Sequence, residues 1–226
     1  MSVAAATAEL VRLIGAQPEV VRTICTFNEN PADYIDESRR REFFPPRMGG
    51  AVWERASSRR HLSRHILDRI GAAPCLEAHR PEWPIALMER ERIDRLARHV
   101  AAALVGVRVR RCVSRAEVLA WREWLTPEAH EFALTRAGLL PVSADAGVFA
   151  IEGDKAITAL QLGHAWIVAA SRRWPNAIAK RFVLKLPAGK YAAAEAIDSA
   201  LASKLVSSVI TNLESRWCSS FAITRA

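Results

Sequence analysis

The sequence predicts an all-α or mainly α protein, folded as a single globular multi-helix domain over residues 1–226, with room for one short β element near 147–153. Half of the residues are hydrophobic but only 7% are aromatic; the surplus is largely Ala and Leu, which favours helices over pleated sheets. Apolar residues recur at three- and four-residue steps through most of the chain. Helix start and stop signals punctuate those stretches. A chain of 226 residues can bury one substantial core, and no long Gly/Ser- or Pro-rich linker divides it, so one domain is favoured, with a split near Pro141 as the alternative.

Taken in order, Ala6, Leu10, Leu13 and Ile14 share one face, and Val20, Val21 and Ile24 follow Pro18, which suggests two linked helical turns. Residues 27–38 break that pattern. Pro31 bars Asn30 from helical geometry, while Asn28, Asn30 and Asp33 can bond back to nearby amides, so the chain should turn here between two helices, with Phe27 and Tyr34 as anchors. Two readings stay open: a docking element, or an ordinary interhelical turn held by two aromatics. Pro45, Pro46, Gly49 and Gly50 then make a connector after Phe43 and Phe44. Val52, Leu62, Ile66, Leu67 and Ile70 support a helix that ends near Gly71 and has a strongly basic exposed face.

From Trp83 to Val107, residues Met88, Ile93, Leu96, Ala97, Val100 and Leu104 form an apolar stripe, and Glu91 with Arg95 and Asp94 with Arg98 are opposed pairs at four-residue spacing. Ser114 and Glu117 read as a capping box before a helix through Trp121 and Trp124; Thr126-Pro127-Glu128 starts another, and Gly138 stops it. Residues 148–151, Val-Phe-Ala-Ile between Gly147 and Gly153, are the candidate strand. Asp154 can cap a central helix with Ile157, Leu160, Ile167 and Val168 that runs until Pro175. The uncharged stretch 156–171 contains Gln161 and His164 and falls short of the ~20 residues a membrane helix needs, so it reads as a buried helix. A last helix carries the four-step row Ile197, Leu201, Leu205, Val209, Leu213 and Trp217, one face of which must dock, on the same chain or on a partner.

Chemistry-bearing patterns are sparse. The four cysteines, Cys25, Cys75, Cys112 and Cys218, form no CxxC pair, so neither a zinc site nor a compact disulfide scaffold is expected, and reduced thiols fit best. Glu9 and Arg12 interrupt the N-terminus, and no secretory signal is expected. His61 and His65 have metal-like spacing, but Arg59, Arg60, Arg64 and Arg69 would repel a cation. Gly153-Asp154-Lys155 lacks the glycine cradle of a P-loop, and no nucleophile elbow occurs. The expectation is a protein that is not an enzyme, with no cofactor, no metal and no small-molecule substrate.

The net charge of +8 rests on Arg, since only five of the 32 basic residues are Lys. Arg39, Arg40, Arg41, Arg47, Arg55, Arg59, Arg60, Arg64 and Arg69 form a dense run, and Arg172, Arg173, Lys180, Arg181, Lys185 and Lys190 a second series. Such runs could neutralise phosphates, which gives one functional reading: a basic helical nucleic-acid-binding protein, though no recognition-helix motif stands out.

The other reading comes from two separated motifs. Phe27-Asn28-x-x-Pro31-x-x-Tyr34 and the later Arg181-Phe182-Val183-Leu184-Lys185-Leu186-Pro187 occur in an order and spacing by which the chain resembles the SctK-type (YscK/PscK-like) sorting-platform accessory proteins of bacterial type III secretion systems. The sequence departs from the family pattern near Asp36, where the family has His, and an acidic patch of Asp33, Asp36 and Glu37 results. The resemblance implies a cytoplasmic adaptor, peripheral at the inner membrane through protein contacts and without a transmembrane segment. It would link the cytoplasmic domain of the inner-membrane ring to the switch-related pod protein beneath the injectisome, and nucleic acid is not a partner it implies. On this reading Phe27, Asn28, Pro31, Tyr34, Arg39, Arg40 and Arg41 are the candidate protein-binding residues, with aromatics as anchors and the arginines meeting acidic surfaces.

Overall fold

Proline and glycine fix several of the helix ends in the computed structural model, which describes residue 15 and residues 17–46, 48–77, 79–140, 157–189 and 191–221. Helix α1 (Pro18–Glu29) opens on a proline, whose missing N–H is no loss at that position, with Glu19 in the first turn. It closes before Pro31, and Asn30 leaves helical geometry at φ −120°. Two 3-10 turns, Pro31–Asp33 and Glu37–Arg39, lead into α2 (Arg40–Phe43), which Pro45 and Pro46 separate from α3 (Gly50–Glu54). Helix α4 (Ala56–Ile70) stops at Gly71, whose left-handed φ of 57° lets its N–H donate to the Leu67 carbonyl. The single turn α5 (Trp83–Ala86) precedes the long α6 (Arg90–Arg111).

Ser114 caps α7 (Arg115–Leu125) by accepting from the Glu117 N–H, and Thr126-Pro127 opens α8 (Pro127–Thr135). A 3-10 turn, Ala137–Leu139, follows. Helix α9 (Ala159–Ser171) starts with a capping box of Thr158 and Gln161. Then come α10 (Asn176–Val183), α11 (Ala192–Ala196), α12 (Ser199–Leu213), which Asp198 caps, and α13 (Ser215–Ser219). Every regular element among the described residues is helical, as the composition and periodicity predict. The candidate strand at 147–153, the Asp154 cap and the set Ala6 to Ile14 lie outside the described residues, as do Arg47 and Lys190.

The described residues group into two compact units. One takes those of Met1–Glu89, Trp174–Gly189 and Arg216–Ala226; the other takes those of Arg90–Arg173 and Lys190–Ser215. In the second unit α6 is the hub, packed by α9, α8, α12 and α7. Gly163 makes this possible: a Cβ there would overlap the Ala97 carbonyl, so α9 and α6 touch backbone to backbone. Gly106 leaves room for the Ala137 side chain, since a Cβ added at Gly106 would lie 2.6 Å from the Ala137 Cβ. Polar groups pin the margins. Arg95 pairs with Glu128 at the start of α8 and, at 3.2 Å, with Glu214 at the end of α12, which Arg92 also reaches at 2.8 Å. Buried His164 on α9 sits 2.9 Å from Asp94, which also takes Arg90. Burial pushes the Asp94 carboxyl up, but the His164 and Arg90 hydrogen bonds outweigh it and leave it below its ordinary value.

In the first unit, Ala32, Ile35, Trp53, Leu62, Ile66 and Leu184 form one apolar cluster, with Phe43, Phe44 and Met48 packed against it. Segments from three parts of the chain supply that unit, so its core depends on contacts of high sequence separation.

Several expectations need correction. The Trp83–Val107 stripe is not one helix: α5 ends at Ala86 and α6 begins at Arg90, because the Ala86 and Met88 carbonyls accept from the Lys185 ammonium instead of continuing a helical ladder. The polar partners of Asp94 and Arg95 include residues on α8, α9 and the end of α12, beyond the four-residue pairs. Val52 belongs to α3, not to the helix that ends at Gly71. Ile157 precedes α9, which Thr158 caps. The last row is broken at Glu214: α12 buries Ala202, Leu205, Val206, Val209 and Ile210 against α9 and α6, while Trp217 lies in α13. A pure four-step row drifts by about 40° per step around an α-helix, so it could not have kept one face over that length.

Candidate docking site

The early and late motifs meet in the first unit. Phe27 and Asn28 are the last turn of α1, not part of the turn that follows. Phe27 is 2% exposed; its ring stacks on Tyr34 at 5.4 Å and meets the Trp83 edge at 5.7 Å. The Tyr34 hydroxyl donates to the Phe27 carbonyl at 2.7 Å, closing the turn around buried Pro31. Burial pushes the Tyr34 phenol well above its usual value, and nearby Arg181 only partly opposes this. The two aromatics therefore hold the interhelical turn from inside.

Asn28 acts as a piece of backbone. Its amide donates to the Ile24 and Cys75 carbonyls at 2.9 and 2.8 Å, and its carbonyl oxygen accepts from the Cys75 N–H at 2.8 Å. Arg181, from α10, is 1% exposed and donates to the Asn28, Ala73, Ala177 and Ala72 carbonyls. One guanidinium thereby ties α10 to the end of α1 and to the loop after Gly71. Burial pulls it below the ordinary arginine value.

Lys185, 8% exposed, lies one turn further on. Its ammonium donates to the Ala86 and Met88 carbonyls, both at 2.8 Å, and sits 5.2 Å from the ring centroids of both Phe27 and Tyr34. Burial pulls it down to about 7, with Glu89 opposing. Beyond it, the Leu184 carbonyl accepts from the Asp36 N–H at 2.7 Å, and the Leu186 and Pro187 carbonyls accept from Arg39 at 2.7 and 3.3 Å. The Ala188 N–H donates to the Ser38 hydroxyl. Two motifs more than 140 positions apart thus form one hydrogen-bonded clasp.

The seven residues singled out in the sequence divide by place. Phe27, Asn28, Pro31 and Arg39 are buried, and Tyr34 is half-buried. Arg40 is half-buried, its guanidinium 4.5 Å from the Trp53 ring centroid, and Arg41 is exposed. Of the second basic series, Arg181 and Lys185 are consumed by main-chain carbonyls and offer nothing to a phosphate. Sequence reasoning missed their role, although basic residues set among Phe182, Val183, Leu184 and Leu186 were the available signal. His65 turns to the Phe43 carbonyl at 3.1 Å. Among the described residues, no three His, Cys, Asp or Glu side chains gather to hold a metal, and no helix is long and apolar enough to cross a membrane.

Compared with known protein families, the chain matches the one described as YOP proteins translocation protein K (YscK) over residues 22–216. That span contains both halves of the clasp. No curated protein and no solved structure matches the chain.

Proposed function

The chain belongs to the YscK family, and from that membership we propose that it is a non-enzymatic cytoplasmic adaptor of a bacterial type III secretion system. It links the cytoplasmic domain of the inner-membrane ring to the switch-related pod protein of the sorting platform, and it reaches the membrane only through those proteins. The observation that carries this reading is the clasp: Asn28, Arg181 and Lys185 are spent on main-chain groups, and Arg39 on the Leu186 and Pro187 carbonyls and the Glu42 carboxylate, so what the two motifs build is a fixed shape rather than a reactive pocket. Phe27, Asn28, Pro31, Tyr34 and Arg39 set that shape. Arg40 and Arg41, carried on the turn they hold, meet the partner.

The test compares co-purification with the pod protein and with the ring domain against retention on random-sequence duplex DNA across a salt series. Binding of either protein without DNA retention is the expected result. The charge reversal is confined to Arg40→Glu and Arg41→Glu, because Arg39 holds the Leu186 carbonyl and its loss would open the clasp. Reversal should weaken capture at least about tenfold with the helical signal intact. Retention on DNA with neither protein bound would instead favour the nucleic-acid reading.

A further inference from the structure

Beside the clasp, α2, the Pro45-Pro46 pair and α3 enclose a groove of about 500 Å³. Its making is local. A residue before proline avoids helical geometry, so Phe44 turns extended at φ −131° and ψ 148°, α2 stops after one turn, and the two prolines that follow present ring surface and no N–H. Trp53, 8% exposed, forms a wall, with the Phe44 ring edge-on at 5.3 Å. Arg40 lies over that wall, and its Nε is buried with no hydrogen-bond acceptor among the described residues. Its one ionic neighbour among those residues, Glu37, is 3.7 Å away on a side chain that is 88% exposed, a weak pair that an incoming anion can displace. Arg41 stands exposed on the same rim.

We propose that this groove receives a short acidic segment of a partner protein, one whose carboxylates meet Arg40 and Arg41 and whose apolar side chain lies on Phe44, Pro45, Pro46 and Trp53. The inference rests on the adaptor reading and deepens it by giving the chemistry of what is gripped. Charge complementarity selects the anion. A buried guanidinium N–H without an acceptor asks for one, and a carboxylate beside an arginine held 4.5 Å over an indole ring forms a directed bond. The apolar walls select a peptide over a nucleic acid: a phosphate backbone needs a row of cations, whereas the described lining residues offer Arg40 and Arg41, with Glu37 beside them, above aromatic and proline surface, which suits an anchor residue flanked by acids.

Fluorescence anisotropy tests this on the full chain with three labelled peptides of equal length: Glu and Asp alternating with Leu and Phe, an amide twin with Gln and Asn, and an acidic twin with Ser in place of the apolar residues. The first is expected to bind, and each twin to bind at least about tenfold more weakly, because both the charge and the anchor are needed. Arg40→Gln with Arg41→Gln should lose the first peptide about tenfold, while Arg60→Gln with Arg64→Gln on the exposed face of α4 should not. No binding of the first peptide overturns the proposal. So does equal binding of the Ser twin, of duplex DNA or of phosphatidylglycerol vesicles, each of which would make the groove a general polyanion patch. The twins are compared on the unaltered chain, so the outcome does not depend on how a variant folds. A parallel titration with the intact pod protein and ring domain separates the two claims: undiminished binding by the Gln variant overturns the groove and leaves the adaptor standing, whereas no binding by the unaltered chain overturns the adaptor and leaves the peptides to decide the groove.

Discussion

Lys185 is held by two carbonyls and two ring faces at the centre of the clasp, and its burial has a measurable consequence. Its folded value lies near 7, against about 10.4 in an unfolded chain. Between those values the unfolded state holds a proton that the folded state has released, so this residue makes stability rise with pH above about 7; below that, the cost of burying the charge is present in full. Urea unfolding across that window should show a slope approaching about 1.4 kcal/mol per pH unit from this one group. Lys185→Met should flatten it, and an identical pH profile for the variant would mean that Lys185 is not desolvated. The position was legible in the sequence only as one member of a basic series. Nothing in a one-dimensional pattern tells an arginine or lysine that ends in water from one that ends on a buried carbonyl; that depends on which main-chain oxygens the fold leaves without partners, here Ala72, Ala73, Ala86 and Met88.

At the level of elements, helices with local signals were readable. Ser114 with Glu117, Thr126-Pro127, and Gly71 after Ile70 mark their ends because capping and left-handed geometry involve neighbours a few residues away. The apolar stretch that holds Ile167 and Val168 was likewise recognisable as a central helix, since α9 is buried nearly all round. What failed were continuities that only tertiary contacts decide: the break between α5 and α6, and the break at Glu214, whose carboxylate is drawn to Arg92 and Arg95. Helix crossing also escaped the sequence, because a glycine inside a helix reads as a weakness until its neighbour is known. Gly163→Ala should cost about 3 kcal/mol by forcing α9 off the Ala97 carbonyl, while Gly50→Ala, whose Cβ meets nothing within 4 Å, should stay within about 0.5 kcal/mol. Thermal melts of the two variants check this, and equal melting temperatures would remove the close crossing from the account.

For the whole molecule, the chain passes between its two units at residues 89, 173, 189 and 215, so neither unit is one continuous segment. We expect the units to unfold together as the single domain the sequence suggests. Far-ultraviolet circular dichroism and tryptophan fluorescence, which reports on Trp53 and Trp83 in one unit and Trp124 and Trp166 in the other, should give coincident transitions, and two separated midpoints would make them independent domains. The same interleaving explains why the docking reading needed both ends of the sequence: Phe27 to Arg41 is held by Arg181 to Pro187, and neither motif alone has the shape. The most direct test of the proposed adaptor role is effector delivery in a strain deleted for this gene. Delivery should be lost, restored by the unaltered chain and restored poorly by Arg40→Glu with Arg41→Glu; delivery that persists in the deletion strain would contradict the account.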